Sequence, residues 1–253
     1  MKLPLPLISL FVLFFFTSAA EAQKRRPAPK AKFPPKTQTS RTSGNSAVVI
    51  DETLAVLRVR PSLFADAVQR MRRGRKVQIT DERQADGVTF FRVSAAPNNS
   101  GWVQSEAVFG KFRRGDDERL ARLVQASGGF DQLEIASNFL EMYRDSPLRP
   151  AILLLFGDLA EETAVILSRD ATRRLDRREM AASGAPLHSF YLNFVSLDRY
   201  RKLGIAFLLN SNTKNFHYEG ASWREITAKF PKSAEAAEAQ KRLDSLKEKL
   251  EKR

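Results

Sequence analysis

Between residues 54 and 108 apolar and polar residues alternate in runs too short for a helix, and turn signals cut every run. Val77 and Ile79 mark one alternation, Phe91 and Val93 another. The cuts fall at Arg73-Gly74, at Asp86-Gly87 and at Pro97-Asn98-Asn99-Ser100-Gly101. A period of two broken by Gly, Pro and Asn is the pattern of short strands joined by tight turns. Asp-Gly suits a type I′ hairpin, because both residues tolerate positive φ. The expected unit is a small β-barrel over residues 47–110. Along its strands Phe91 and Val93 share one face and belong to the core, while Phe90 and Arg92 share the other.

Five pieces of this stretch carry a family likeness. They are Val56-Leu57-Arg58-Val59-Arg60, Pro61-Ser62, Gly74 with Val77, Phe90-Phe91-Arg92-Val93, and Gly101-Trp102-Val103. In that order the segment resembles the bacterial SH3-like (SH3b) domain over roughly a fifth of the chain. The resemblance implies a binding module whose ligand groove has aromatic walls, and the available rings are Phe64, Phe90 and Trp102. Phe90 is expected on the outward face of its strand. Trp102 has two readings, a plug in or beside the core and a groove wall. The basic turn Arg70, Arg72, Arg73, Arg75, Lys76 reads as a solvated surface or as a seat for an acidic partner.

Ahead of this unit the chain changes character. Residues 1–22 read as a secretory signal peptide: Lys2, an apolar run over residues 5–16, then Ala20-Glu21-Ala22 before Gln23. The run is shorter than the roughly 20 residues a membrane span needs. Residues 23–46 form a basic linker rich in Pro and then in Ser and Thr, with seven cations and no acid, more than half of the net charge of +13. Such a segment has almost nothing apolar to bury, so a disordered tether is expected, either a plain spacer or a peripheral contact with anionic envelope surfaces. With the excess charge in the tether, the folded part is only mildly basic, which argues against nucleic acid as partner.

From Asp116 the apolar period lengthens to about 3.6, and helices are expected over residues 116–126, 131–144, 151–182, 187–209, 222–230 and 234–252. The long third helix buries Ile152, Leu155, Phe156, Leu159, Ile166 and Leu167. Two stretches, Tyr200-x2-Leu203-Gly204-x2-Phe207 and Trp223, Ile226, Pro231, resemble the two helices of a tetratricopeptide (TPR) repeat, with Leu153-x2-Phe156-Gly157 and Phe139, Met142, Pro147 as weaker copies. The resemblance implies an α-helical TPR-like domain over residues 116–253. An irregular helical domain remains the alternative.

The chemistry of catalysis is thin. The chain has no cysteine, which excludes disulfides, thiol nucleophiles and cysteine zinc sites. Its two histidines, His188 and His217, lack metalloprotease spacing, and a zinc site would need both plus a carboxylate such as Glu219. Gly220-Ala221-Ser222 lacks the rest of a nucleophile elbow. The basic stripe Arg169, Arg173, Arg174, Arg177, Arg178 is interrupted by Asp170, Asp176 and Glu179 and reads as a paired, exposed face. The expected architecture is therefore multidomain β plus α. The expected function is that of a non-enzymatic, periplasmic or secreted envelope protein that binds peptidoglycan or envelope proteins, without cofactor or metal. The alternative is a cell-wall hydrolase with a carboxylate-based site in the helical domain.

Overall fold

A computed structural model of the chain describes residues 45–97, 99–175 and 182–251. The stretch expected as a signal peptide and nearly all of the stretch expected as a linker lie outside them, as do Arg177 and Arg178. The first strand already begins at Asn45, inside the stretch expected as linker. The described fold mixes β and α structure: an antiparallel seven-stranded sheet, followed by helices with one hairpin among them.

The sheet comprises β1 (Asn45–Val49), β2 (Val56–Arg58), β3 (Ala67–Arg70), β4 (Lys76–Ala85), β5 (Val88–Ala95), β6 (Asn99–Gln104) and β7 (Val108–Phe109). Their order is β3-β2-β6-β5-β4-β1-β7. It is not a closed barrel: β3 and β7 stand at opposite ends, and among the described residues no pairing joins them. β7 has only two residues, too short to close the ring. The turn chemistry follows the sequence. Asp86 (φ 53°) and Gly87 (φ 75°) both sit at positive φ between β4 and β5, and Gly74 (φ 79°) turns the chain into β4. Gly101 has a separate reason to lack a side chain, since a Cβ there would stand 2.7 Å from the Arg58 carbonyl oxygen on the neighbouring β2.

Helices α1 (Asp116–Ala126), α2 (Gly129–Met142), α3 (Arg149–Arg174), α4 (Leu187–Leu192), α5 (Asp198–Arg201), α6 (Ala221–Lys229) and α7 (Ala236–Glu251) follow. Pro150 opens α3, where its missing N–H costs nothing. None of the described helices is long and apolar enough to cross a membrane. Three expectations fail. The third helix, expected to reach residue 182, ends at Arg174, and Leu175 is already extended. Residues 187–209 are not one helix: after α4 and α5 the chain turns at Gly204 (φ 76°) and enters a hairpin of β8 (Phe207–Asn210) and β9 (Asn215–Tyr218). The Tyr200–Phe207 match to a repeat helix thus spans a helix end, a turn and a strand start. Ile166, assigned to the buried face of α3, is exposed together with Val165; the buried stripe runs instead through Ile152, Leu153, Phe156, Ala160, Ala164, Leu167 and Ala171. The small residues in that stripe let β9 and α6 come close. At Gly157 a Cβ would stand 2.3 Å from the Trp223 Nε1 of α6.

Two apolar clusters hold the fold. One lies within the sheet and contains Leu57, Met71, Val77, Ile79, Phe91, Val93 and Val103. The other fills the space among the helices and the hairpin. β1 serves both, because its alternation sends Ala47 and Val49 to the sheet cluster and Val48 to the helical one. Ile50 and Phe109 also belong to the helical cluster.

Polar fastenings follow the same seam. Asp116, only 1% exposed, accepts hydrogen bonds from the Gly110 N–H and from the Arg113 and Arg119 guanidiniums. Arg73 of the basic turn reaches Glu134 (2.9 Å) and Asp131 (3.3 Å) of α2, and Lys76 reaches Glu141 (2.7 Å). The acidic partner of that turn is, for these two cations, the chain's own second helix.

Candidate functional site

The three rings named from the sequence have different fates. Strand register places Phe90 opposite Gln104 and Arg92 opposite Trp102, so Phe90, Arg92 and Trp102 share the sheet face away from the Phe91 and Val93 cluster. The alternation therefore gives the face correctly. Phe90 is nevertheless 0% exposed and Trp102 7% exposed, so neither is an open groove wall. The loop between β2 and β3 is tied to the sheet nearby. The Ser62 hydroxyl (2.6 Å) and the Leu63 N–H (2.8 Å) donate to Asp86 Oδ2 at the β4–β5 turn, while Arg58 Nη1 donates to the Ala65 carbonyl (2.7 Å). Loop and sheet are thus laced together, and Arg58, the register partner of Trp102, makes one of the ties. The Arg83 guanidinium lies over the indole of Trp102, 5.4 Å from its centre. The Ser62 hydroxyl, then the Leu63 N–H, hold the exposed Asp86 carboxyl below its ordinary pKa.

Phe64 is the opposite case. It sits at the tip of this same pinned loop and is 89% exposed. Its own N–H lies 3.2 Å from the Ser62 hydroxyl, which continues the turn. Val59 and Val68, on either side of the loop, are also exposed, and so are Arg60, Arg70, Arg83 and Arg92. Fixed backbone, one projecting ring and flanking valines, with Arg60 in the same loop, together make an amphipathic contact surface. The sequence signal for it was the Pro61-Ser62 turn followed by an aromatic. What the sequence could not supply is the long-range bond from Ser62 to Asp86 that fixes the turn.

A second polar assembly was not anticipated. Glu161 of α3 has its Oε1 3.0 Å from His217 Nδ1 and accepts from Lys249 Nζ (2.8 Å), while Oε2 accepts the Tyr218 N–H (2.8 Å). One helical turn away, Asp158 pairs with Arg242 (3.0 Å). Asp158, Glu161, Arg242 and Lys249, with Trp223, Ser245 and Leu246, line an open cavity of about 330 Å³. Burial acts to raise the Glu161 pKa, but the donors from His217, Lys249 and Tyr218 outweigh it and hold the carboxyl at about 2. Glu161 is therefore an ionised acceptor with both oxygens occupied. It cannot serve as a proton donor near neutral pH.

His217 turns to Glu161 rather than to Glu219, whose carboxylate lies 3.9 Å from the Arg224 guanidinium. His188 is exposed on α4. Among the described residues, no three His, Asp or Glu side chains gather as a metal site. Within the basic stripe, Arg173 pairs with Asp170 (2.6 Å). Comparison with protein-family models, with curated proteins and with solved structures finds no match for this chain.

Proposed function

We propose that this chain is a non-enzymatic binding protein of the bacterial envelope, exported to the periplasm or beyond. In this reading its SH3-like sheet unit captures peptidoglycan or an envelope protein, and the helical half offers a second docking platform for recruitment. Phe64 carries the reading. A ring left 89% exposed on a loop that is held at both ends contributes little to folding. Exposed apolar area costs about 25 cal/mol per Å² relative to burial, so a fixed, solvated phenyl ring marks a contact surface. Aromatic rings on rigid backbone are common anchors of recognition, since little entropy is lost when they are covered. Of the tetratricopeptide-like stretches, Tyr200–Phe207 does not stay helical, whereas Trp223 and Ile226 lie buried on α6 and the weaker copies fall on α2 and α3.

The hydrolase alternative finds little support in the carboxylates of the helical half. Acidic pairs that share a cavity there include Asp158 and Glu161, engaged by Arg242 and Lys249, and Asp117 and Asp145, where Asp117 accepts from the Ser146 hydroxyl and Asp145 lies 3.9 Å from Lys111. General acid catalysis needs a carboxyl raised towards neutral pH, and Glu161 is shifted the other way. The test is capture on purified sacculi and on an envelope-protein extract, comparing the native chain with Phe64→Ser. The expected result is a loss of capture of at least tenfold with an unchanged melting temperature. Equal capture by the two proteins would remove the loop from the binding surface.

A further inference from the structure

We propose that the face built by the C-terminal end of α3 and by α4 with the 3-10 turn after it (Val195–Leu197) docks on an anionic lipid bilayer. An open cavity of about 490 Å³ lies there, walled by Leu175, Phe190, Phe194 and Val195, with Ser189 and Asn193 as its polar members. Around it three aliphatic side chains project into solvent: Leu187, Leu192 and Val195, the last 71% exposed. On α3, Ile166 is exposed as well, and Arg169 and Arg173 follow it at i+3 and i+7 on the same side of the helix. The apolar patch therefore meets a cationic border made by Arg169, Arg173, Arg174 and, from α5, Arg201.

Charge decides the class of occupant. Beside these arginines stand Asp170 and Asp198, each within reach of one arginine (Arg173 and Arg201), while the exposed Glu162 precedes Ile166 by one turn on the same side of α3. Arg169 and Arg174 make no ion pair among the described residues, so the border keeps a positive excess. A proteinaceous partner would ask for open hydrogen-bonding groups, and the polar members offer few: the Asn193 amide donates to the Ser189 carbonyl (2.8 Å), and the Leu192 carbonyl accepts from Arg201. Aliphatic side chains that project beside long, flexible cations match acyl chains beneath a layer of phosphate headgroups, where arginine stems lie on the apolar layer and guanidiniums reach the phosphates.

Sedimentation of the full chain with vesicles tests this. Phosphatidylglycerol–phosphatidylcholine vesicles are compared with pure phosphatidylcholine, in low salt and in about 0.5 M salt, where charge-only adhesion of the basic linker is screened. Expected are binding at least tenfold stronger to the anionic vesicles, a fraction that survives the added salt, and loss of that fraction in Leu192→Asp/Val195→Asp. If the double variant melts early, Val195→Ser alone makes the same comparison. Wild-type binding that is absent or indifferent to lipid charge overturns the proposal. So does salt-resistant binding unchanged in the variants. A dimer of the native chain in solution, split by Val195→Asp, also overturns it by assigning the face to a second copy.

Discussion

At the scale of single residues, adjacent phenylalanines on β5 have separate jobs and the same burial. Phe91 packs inside the sheet, edge-on to Phe112 at 5.5 Å, while Phe90 is fully buried on the other face. Phe90→Ala and Phe91→Ala are each expected to destabilise by about 3–5 kcal/mol, the usual cost of emptying a buried aromatic site. Urea denaturation of the two variants checks this, and a near-neutral Phe90→Ala would mean that its surroundings collapse into the space. The inward place of Phe91 was legible from alternation alone. The full burial of Phe90 was not, because a strand's alternation says which face a side chain takes but not what packs over that face. Glu161 gives a pH signature. Its folded pKa, about 2, lies below the ordinary carboxylate value. Its contribution is therefore full above roughly pH 5 and is lost as pH falls towards 2, on the order of 2–3 kcal/mol. Glu161→Gln should lower stability at pH 7 and flatten that acid limb, which denaturant titrations at pH 7 and pH 3 would read directly.

At the scale of elements, the helices at 116–126 and 221–229 were legible to within a residue of both ends, because Asp116-Asp117-Glu118 and Gly220 punctuate the sequence there. Residues 187–209 misled, since Tyr200, Leu203 and Phe207 keep a helical spacing. Yet the chain takes positive φ at Gly204, which ends the helix, and residues 207–210 find a partner in residues 215–218. Pairing with a distant strand outweighs a local period, and a sequence pattern carries no record of it. The basic turn taught the same lesson. Arg73 looked like one cation among five, but it donates to the Ile50 carbonyl and to Glu134, and so joins the sheet to α2. Arg73→Ala is expected to cost about 2–4 kcal/mol, because it leaves Glu134 and a buried carbonyl without their donor. Arg75→Ala, which loses a bond to Ala96 on an exposed loop, should cost well under 1 kcal/mol. Thermal melts of the pair separate the two roles.

At the scale of the whole molecule, the sheet and the helices do not own separate cores. Val48, Ile50 and Phe109 belong to the helical cluster while Ala47, Val49 and Val108, their neighbours in sequence, belong to the sheet cluster. A fragment of residues 45–110 would expose those three apolar side chains and leave Arg73 without Glu134 and Asp131. The full chain should therefore melt in one cooperative transition. The fragment should be less stable by several kcal/mol than the same sheet within the full chain, given about 1.5–3 kcal/mol for each large apolar side chain uncovered. Calorimetry of both would decide, and two well-separated transitions in the full chain would show that the halves fold independently. The position of β1 also has a mechanical meaning. The described residues begin at Asn45, directly in the strand that lies between β4 and β7 and divides its side chains between the two clusters. Any load applied at residue 45 arrives first at that strand and is shared at once by sheet and helices. Under force this protein should yield in a single rupture that begins at β1, rather than shedding its sheet and keeping its helices.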